Sequence, residues 1–284
     1  MGFRNFTTCL NKNSDMQKDN FTANNEFLYW FSGFTDAFHP SLRFIREFST
    51  KRDNNNLSLV VWGSNLISLV GIGRLTKQNS LMIKLPPYQR SIIIGLLLSD
   101  GWLTIASKTS LNARLGFKQA LAQGDYVWFV FNELSHYCSS YPVLTKGIRS
   151  GNPFYGLQFF TRSLPCFTEL YSIFYGNKVK GIPQDIYNLL TSVALAHFIM
   201  GDGGFKSKGI FICTDSYSLY DVVRLMNVLI IRYDLKCTLH KSSNGLGYRI
   251  YISRNSVERI LKIVKSYIIP SLYHKLGITK DIVN

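Results

Sequence analysis

The chain has 284 residues, 46% hydrophobic and 14% aromatic, and its 32 Lys and Arg against 17 Asp and Glu leave a formal net charge of +15. That length holds one large or two small domains with a sizeable core, and the charge suits a polyanion, phosphate backbone above all, because the basic residues form no amphipathic membrane-binding stripe. Five cysteines without CxxC spacing and five scattered histidines argue against a disulfide scaffold and a structural zinc site, and no apolar run reaches the roughly 18 residues of a membrane span.

Residues 1–85 differ from the rest of the chain. Stretches such as NKNSDMQKDN and KRDNNN interrupt short aromatic runs there, and neither a secretory segment nor an Arg-rich presequence opens the chain. The protein is therefore expected to act where it is made, inside an organelle only if its genome lies there. Only 10 basic and 6 acidic residues precede Pro86, with 22 and 11 beyond, so most of the positive excess is downstream. GIGR at Gly71–Arg74 lacks the third glycine and following helix of a dinucleotide-binding loop, and reads as a plain loop. LPPYQR then marks a boundary, since paired prolines favour an extended approach and disfavour helix immediately before Tyr88. The expected organisation is an N-terminal extension over 1–85, a first half over 86–176, and a linker with a second half over 177–284.

Beyond the prolines the elements fall into a repeated order. A helix over Gln89–Asp100 is followed by strand patterns WLTIAS and ARLGFKQA, a helix in GDYVWFVFNELSHYC, strands PVLTKGIRS and PFYGLQFFT, and a helix in SLPCFTELYSIFY. After GNKVKGIP the order recurs. A helix runs into Asp202, then come GGF and GIFICTD, the helix LYDVVRLMNVLIIRY, strands KCTLHKS and GYRIYIS, and the helix SVERILKIVKSYI. The chain reads as an α+β fold of two αββαββα units, each with a four-stranded antiparallel sheet covered by helices on one face. Alternation puts Arg114 and Lys118 on the open face of one sheet, and Arg249 and Tyr251 on that of the other, where long donors reach base edges in a major groove. A merely solvated face explains any single strand equally well; the charge of the body favours DNA binding.

The first helix of each unit ends alike, IIGLLLSDG at Ile93–Gly101 and LAHFIMGDG at Leu195–Gly203. Asp100 and Asp202 each abut an apolar run, and a carboxylate so placed must be paired, hydrated or holding a cation. Gly95, Ser99, Ala196 and Gly201 are small residues that would let the two helices lie close. Side by side, the helices bring both acids to one end. Carboxylates there repel unless divalent cations bind between them, and hard oxygen donors favour Mg²⁺, or another divalent ion such as Mn²⁺. Such ions activate water and stabilise a phosphodiester under attack.

These segments resemble the paired signature of the LAGLIDADG homing endonucleases, most closely the single-chain type encoded in mitochondrial group I introns. Leu98 and Met200 replace the first acid of the signature, while its final acid, the family's metal ligand, stands in both copies. KGIP at Lys180–Pro183 and YIIPSLYHKLG at Tyr267–Gly277 extend the match over about Pro86–Gly277. The resemblance implies a saddle of β-strands in the major groove of a long, asymmetric double-stranded DNA site, with Asp100 and Asp202 as metal ligands. It implies lysines near the scissile phosphates at Lys180, with Lys178 as alternative, and Lys275. Gln119 and Asp215 would orient water, although helix capping explains Asp215 nearly as well. The implied activity is a monomeric, Mg²⁺-dependent, site-specific double-strand endonuclease promoting intron mobility. Its rival on the same fold is a maturase that binds group I intron RNA, and a third reading is a catalytically dead DNA-binding protein; retention of both acids favours cutting. FLYWFSGFTDAFHP resembles a further copy of the signature, with Phe38 where the acid should be, so that residues 1 to about 56 read as a remnant or an upstream fusion, with an unrelated aromatic helix packed on the body as the alternative.

Overall fold

A computed structural model describes residues 68–278 apart from 108–109, 150, 177, 243–244 and 246; the FLYWFSGFTDAFHP segment lies outside the described residues. The chain enters through the loop that contains GIGR. Arg162 clasps it, donating to the carbonyls of Leu69, Ile72 and Gly73 at 2.6–3.0 Å. Helix α1 (Lys77–Met82) begins at Thr76, whose hydroxyl accepts from the Asn79 N–H.

Helix α2 spans Pro87–Leu98, two residues earlier than expected at its start and two shorter at its end. Pro87 occupies the first turn, where its missing N–H has no helical partner to lose and its fixed φ suits the helix, so the second proline starts α2 instead of delaying it. Then follow β1 (Trp102–Ile105), β2 (Ala113–Ala120), α3 (Gly124–Leu134), β3 (Val143–Arg149), β4 (Asn152–Phe160) and α4 (Pro165–Phe174). A ribbon of β5 (Tyr175–Gly176) and β6 (Val179–Lys180) and the short α5 (Ile186–Leu189) lead to the second unit. That unit comprises α6 (Ser192–Asp202), β7 (Gly203–Lys206), β8 (Gly209–Cys213), α7 (Leu219–Tyr233), β9 (Cys237–Lys241), β10 (Tyr248–Ile252) and α8 (Val257–Val264).

The two sheets share one topology, β1-β2-β4-β3 and β7-β8-β10-β9, with antiparallel neighbours throughout. Two αββαββα units are present, as the order of hydrophobic patterns implied. Strand alternation also sorts the faces as expected. Leu115, Phe117, Ile250 and Ile252 are buried, and Arg114, Lys118, Arg249 and Tyr251 project from the opposite faces with intermediate exposure.

Neither α2 nor α6 has a polar side. Ser91–Leu98 and Ala194–Met200 are buried at every position, because α2 packs on α6, β1 and α3 while α6 packs on β7, β8 and α8 as well. The two helices approach very closely. A Cβ at Gly95 would lie 2.4 Å from the Ala194 carbonyl oxygen and 2.5 Å from His197 Cβ, and one at Gly201 would lie 2.5 Å from Ser99 Cβ. Gly95, Ser99 and Gly201 therefore form the seam. Ala196 is buried but stands off it. The residues facing Gly95 are His197 and Ala194, four and seven before Gly201 and on its stripe, whereas a residue five back points about 140° away.

Gly95→Ala should accordingly destabilise the protein by about 1–3 kcal/mol through overpacking. Gly204→Ala, where a Cβ meets nothing within 4 Å, should shift stability by less than about 0.5 kcal/mol. Urea unfolding of both variants checks the contrast, and equal effects would mean that the helix seam is looser than described.

Candidate functional site

Each acid leaves its helix through a glycine that folds straight back. The Gly101 N–H donates to the Leu96 carbonyl at 2.7 Å, and a Cβ there would sit 2.9 Å from that oxygen. Gly203 repeats the arrangement after Asp202, its N–H donating to the Ile199 carbonyl, with 2.6 Å between a built Cβ and that oxygen. Only glycine permits so tight a return, which is the local reason for Asp-Gly at both helix ends. The acids are thereby turned into the seam, where Asp100 Oδ2 lies 3.4 Å from a Cβ built on Gly201. Gln119 of β2 reaches across and donates to Asp100 Oδ2 at 2.5 Å.

The electrostatics follow from crowding. Burial raises the Asp100 carboxyl above the usual range, against the opposing pull of the Gln119 hydrogen bond and of Lys275 and Lys180. Asp202 is raised well above that range, by burial first and then by the charge of Asp100. The two acids occupy one poorly solvated point, where the charge of Asp100 hinders ionisation of Asp202.

Two lysines close the helix ends. Lys180 of β6 donates to the carbonyls of Ser99 and Gly101 at 3.0 and 2.9 Å, and Lys275, in the turn Pro270–Leu276, donates to those of Met200 and Gly201. Each satisfies carbonyls that have no partner at a helix C-terminus and places a cation at the negative end of the dipole. Burial lowers the Lys180 ammonium to about 8, although Asp202 and Asp100 pull it upward, and burial lowers Lys275 too. Lys178 is exposed in a left-handed turn with φ 63°, so the structure brings Lys180 and not Lys178 to the acids.

Asp215 is placed differently from Gln119. Arg249 holds it, donating through Nε and Nη2 at 2.6–3.1 Å, and the cap of α7 is Ser218, which accepts from the Asp221 N–H. Asp215 is nonetheless near enough to raise Asp202 slightly. On the open faces, the Arg114 guanidinium lies 4.2 Å over the Phe160 ring, and the Tyr251 hydroxyl donates to the Ser207 carbonyl.

Sequence reasoning missed two tyrosines. Tyr217, from the second unit, sends its hydroxyl to the Leu97 and Leu98 carbonyls of α2 at 3.3 and 3.1 Å. Tyr126, from the first, donates to the His197 carbonyl of α6 at 3.3 Å and lies 3.1 Å from Nδ1 of that histidine. Each unit thus braces the other's central helix. The available signal was slight, a phenol amid apolar neighbours, which needs a partner once buried. Burial lowers His197 to about 3, so its ring is neutral here.

Among the described residues no group of three or more His, Cys, Asp or Glu side chains is placed to hold a metal ion. The donor set is two carboxylates beside backbone carbonyls. Hard oxygens of this kind fit a divalent cation, whose charge would offset the repulsion between Asp100 and Asp202 and whose remaining ligands would be water and substrate oxygens.

Two outcomes follow from this geometry. An unfolded aspartate titrates near about 3.9, and the folded Asp202 carboxyl titrates higher, so ionisation costs stability as pH rises through its raised value and costs nothing below the unfolded one. Without divalent cation, Asp202→Asn should therefore melt above the parent at neutral pH, with the gap closing as pH approaches about 4; thermal melts in EDTA across that range check it. Tyr217→Phe should lower stability by about 1–3 kcal/mol, because two buried carbonyls lose a donor, and urea unfolding measures that loss.

The profile of the LAGLIDADG DNA endonuclease family matches residues 90–260. The cytochrome b mRNA maturase bI2 of Debaryomyces hansenii is 32% identical over 190 residues, covering 66% of this chain and 72% of the relative. The intron-encoded endonuclease ai4 of Dictyostelium discoideum is 33% identical over 158 residues, covering 54% and 99% respectively. The solved structure of the homing endonuclease I-WcaI bound to its DNA recognition sequence matches with a TM-score of 0.66 at 26% identity, covering 73% of this chain and 96% of that one. With its two acid-bearing helices, its paired sheets and this match over most of the body, the chain belongs to the LAGLIDADG DNA endonuclease family.

Proposed function

We propose that this protein is a site-specific homing endonuclease that hydrolyses both strands of a long, asymmetric DNA site and so promotes movement of its intron. The observation that carries this reading is the meeting of Asp100 and Asp202 at the end of one tight helix pair, with a lysine donating to the carbonyls of each helix terminus. A chain that only bound nucleic acid would have no need of two mutually repelling, desolvated carboxylates.

In this reading Asp100 and Asp202 hold divalent cations, Mg²⁺ or Mn²⁺, which when bound activate water and stabilise the charge developing on the phosphodiester. Gln119 fixes the orientation of Asp100 and leaves its other oxygen free to bind. Lys180, with a proton held only to about pH 8, exchanges that proton with nearby water close to neutrality, and Lys275 balances charge beside Asp202. Asp215, clamped by Arg249, takes part in orienting water from the second side. Arg114 and Lys118 reach DNA from the first sheet. One chain supplies both halves and both acids, so a monomer suffices. Residues up to Leu85 form an extension whose final stretch clips onto the first unit through Arg162. The protein works in the mitochondrion, where its intron would be transcribed.

A second reading is favoured by relatives named as maturases, the Debaryomyces hansenii protein and the cytochrome b mRNA maturase bI2 of Saccharomyces cerevisiae, 33% identical over 199 residues. On that reading the same fold assists splicing of group I intron RNA.

A plasmid carrying the joined exons without the intron should be linearised with Mg²⁺ and stay intact in EDTA. Asp100→Asn and Asp202→Asn should each cut below about one hundredth of the parent rate while retaining DNA affinity. Normal cutting by either variant would sink the mechanism. Splicing of the host intron enhanced by a variant that cannot cut would establish the maturase role separately.

A further inference from the structure

The open face of the second sheet carries a cluster of packed rings where hydrogen-bonding readers were expected, with the exposed Lys206 at its edge. Register pairs Tyr251 with Phe211 on one side and Thr238 on the other, and pairs Arg249 with His240. These positions alternate with Ile210, Ile212, Ile250 and Ile252, all buried, so they share the face turned away from the core. Phe211 and Tyr251 pack there with ring centroids 4.6 Å apart. His240 closes on both edgewise, at 5.6 and 5.3 Å. The polar groups of the strand are engaged within the protein, since the Tyr251 hydroxyl donates to the Ser207 carbonyl at 3.1 Å and the Arg249 guanidinium grips Asp215. Next to Phe211 in β7 stands Gly204, where a Cβ would meet nothing within 4 Å. What this sheet turns outward is a ring surface with a shallow notch beside it.

We infer that the second sheet reads its half of the DNA site through thymine methyl groups. Among base edges in the major groove, the thymine C5-methyl is the feature an apolar surface distinguishes; the others are donors and acceptors that need polar partners. Rings packed on one another have part of each face covered, which disfavours stacking on splayed single-stranded bases. The occupant is therefore a duplex, read by contact. The first sheet also carries a ring pair on its open face, Trp102 and Phe160 with centroids 5.8 Å apart, but there the Arg114 guanidinium lies 4.2 Å over the Phe160 ring and Lys118 shares the face. This inference rests on the endonuclease reading.

The test begins with the full chain, divalent cation withheld, selecting duplexes from a randomised pool. The recovered target is then remade with deoxyuridine in place of thymine, one half at a time, which removes methyls and nothing else. Binding should weaken roughly threefold to fourfold for each methyl in contact, and only for one half. Phe211→Ala should lose that dependence, whereas Lys118→Ala and Tyr251→Phe, which keeps the ring, should retain it. His240→Ala, at an exposed position, should weaken the same dependence and decides the matter if Phe211→Ala does not fold. Indifference to deoxyuridine, or a dependence that survives loss of the Phe211 ring, overturns the inference and leaves the endonuclease reading standing. Failure to recover any preferred duplex overturns both.

Discussion

Two carboxylates repel each other at the end of a buried helix pair, and much of the surrounding structure serves to tolerate that repulsion. The acids meet only because α2 and α6 touch backbone to backbone, and that contact exists only because Gly95 and Gly201 carry no side chain. Once there, both acids are raised by burial, and the charge of Asp100 raises Asp202 further. Lys180 and Lys275 supply compensating charge while satisfying the helix-terminal carbonyls that would otherwise be buried without donors. An arrangement this strained makes a poor structural element. Its physical sense lies in a site where a doubly charged cation and a phosphate restore the balance.

The two units agree in topology and differ in how they support their acids. Gln119 donates directly to Asp100, but the corresponding side chain of the second unit, Asp215, is bound to Arg249. Tyr217 grips the carbonyls just before Asp100, whereas Tyr126 grips His197, five residues before Asp202. A dimer of identical chains would hold both acids alike. Here both copies lie on one chain, so each half is free to differ from the other in its supporting residues. The tyrosines also cross between units, which ties the position of each acid to the packing of the opposite half.

The outer faces of the sheets diverge in the same way. The first presents Lys118 and a Trp102–Phe160 ring pair with Arg114 over it; the second presents Phe211, Tyr251 and His240 packed together, with Tyr251 and Arg249 bonded to Ser207 and Asp215. Basic residues spread over the body supply attraction for phosphate without sequence preference. Discrimination must come from the groove-facing side chains, and there the two halves have different chemistry available.

Much of this was legible in the residue order. Strand-like stretches located the eight sheet strands, with period-two alternation clearest in ARLGFKQA and GYRIYIS, and the apolar runs ending in Asp-Gly located both central helices, because local geometry requires those patterns whatever surrounds them. The paired acids and the lysines of KGIP and YHKLG were legible as well, through a signature whose spacing reflects helix ends and turns. Other features depended on contacts between residues far apart in the chain. Ala196 looked equivalent to Gly95 by alignment, yet the seam runs through Ala194 and His197, since the crossing of two helices decides which stripe faces inward. Which of Lys178 and Lys180 lies beside the acids depended on a two-stranded ribbon too short to show a period. Arg249 and Tyr251 were read correctly as outward-facing, but whether an outward side chain is free to read DNA depends on Asp215 and Ser207, which lie 34 and 44 residues away. The sequence by itself determined the elements, their order and the two acids; the tertiary structure alone decided which polar groups already have partners, because hydrogen bonds between distant segments leave no periodic trace in the chain.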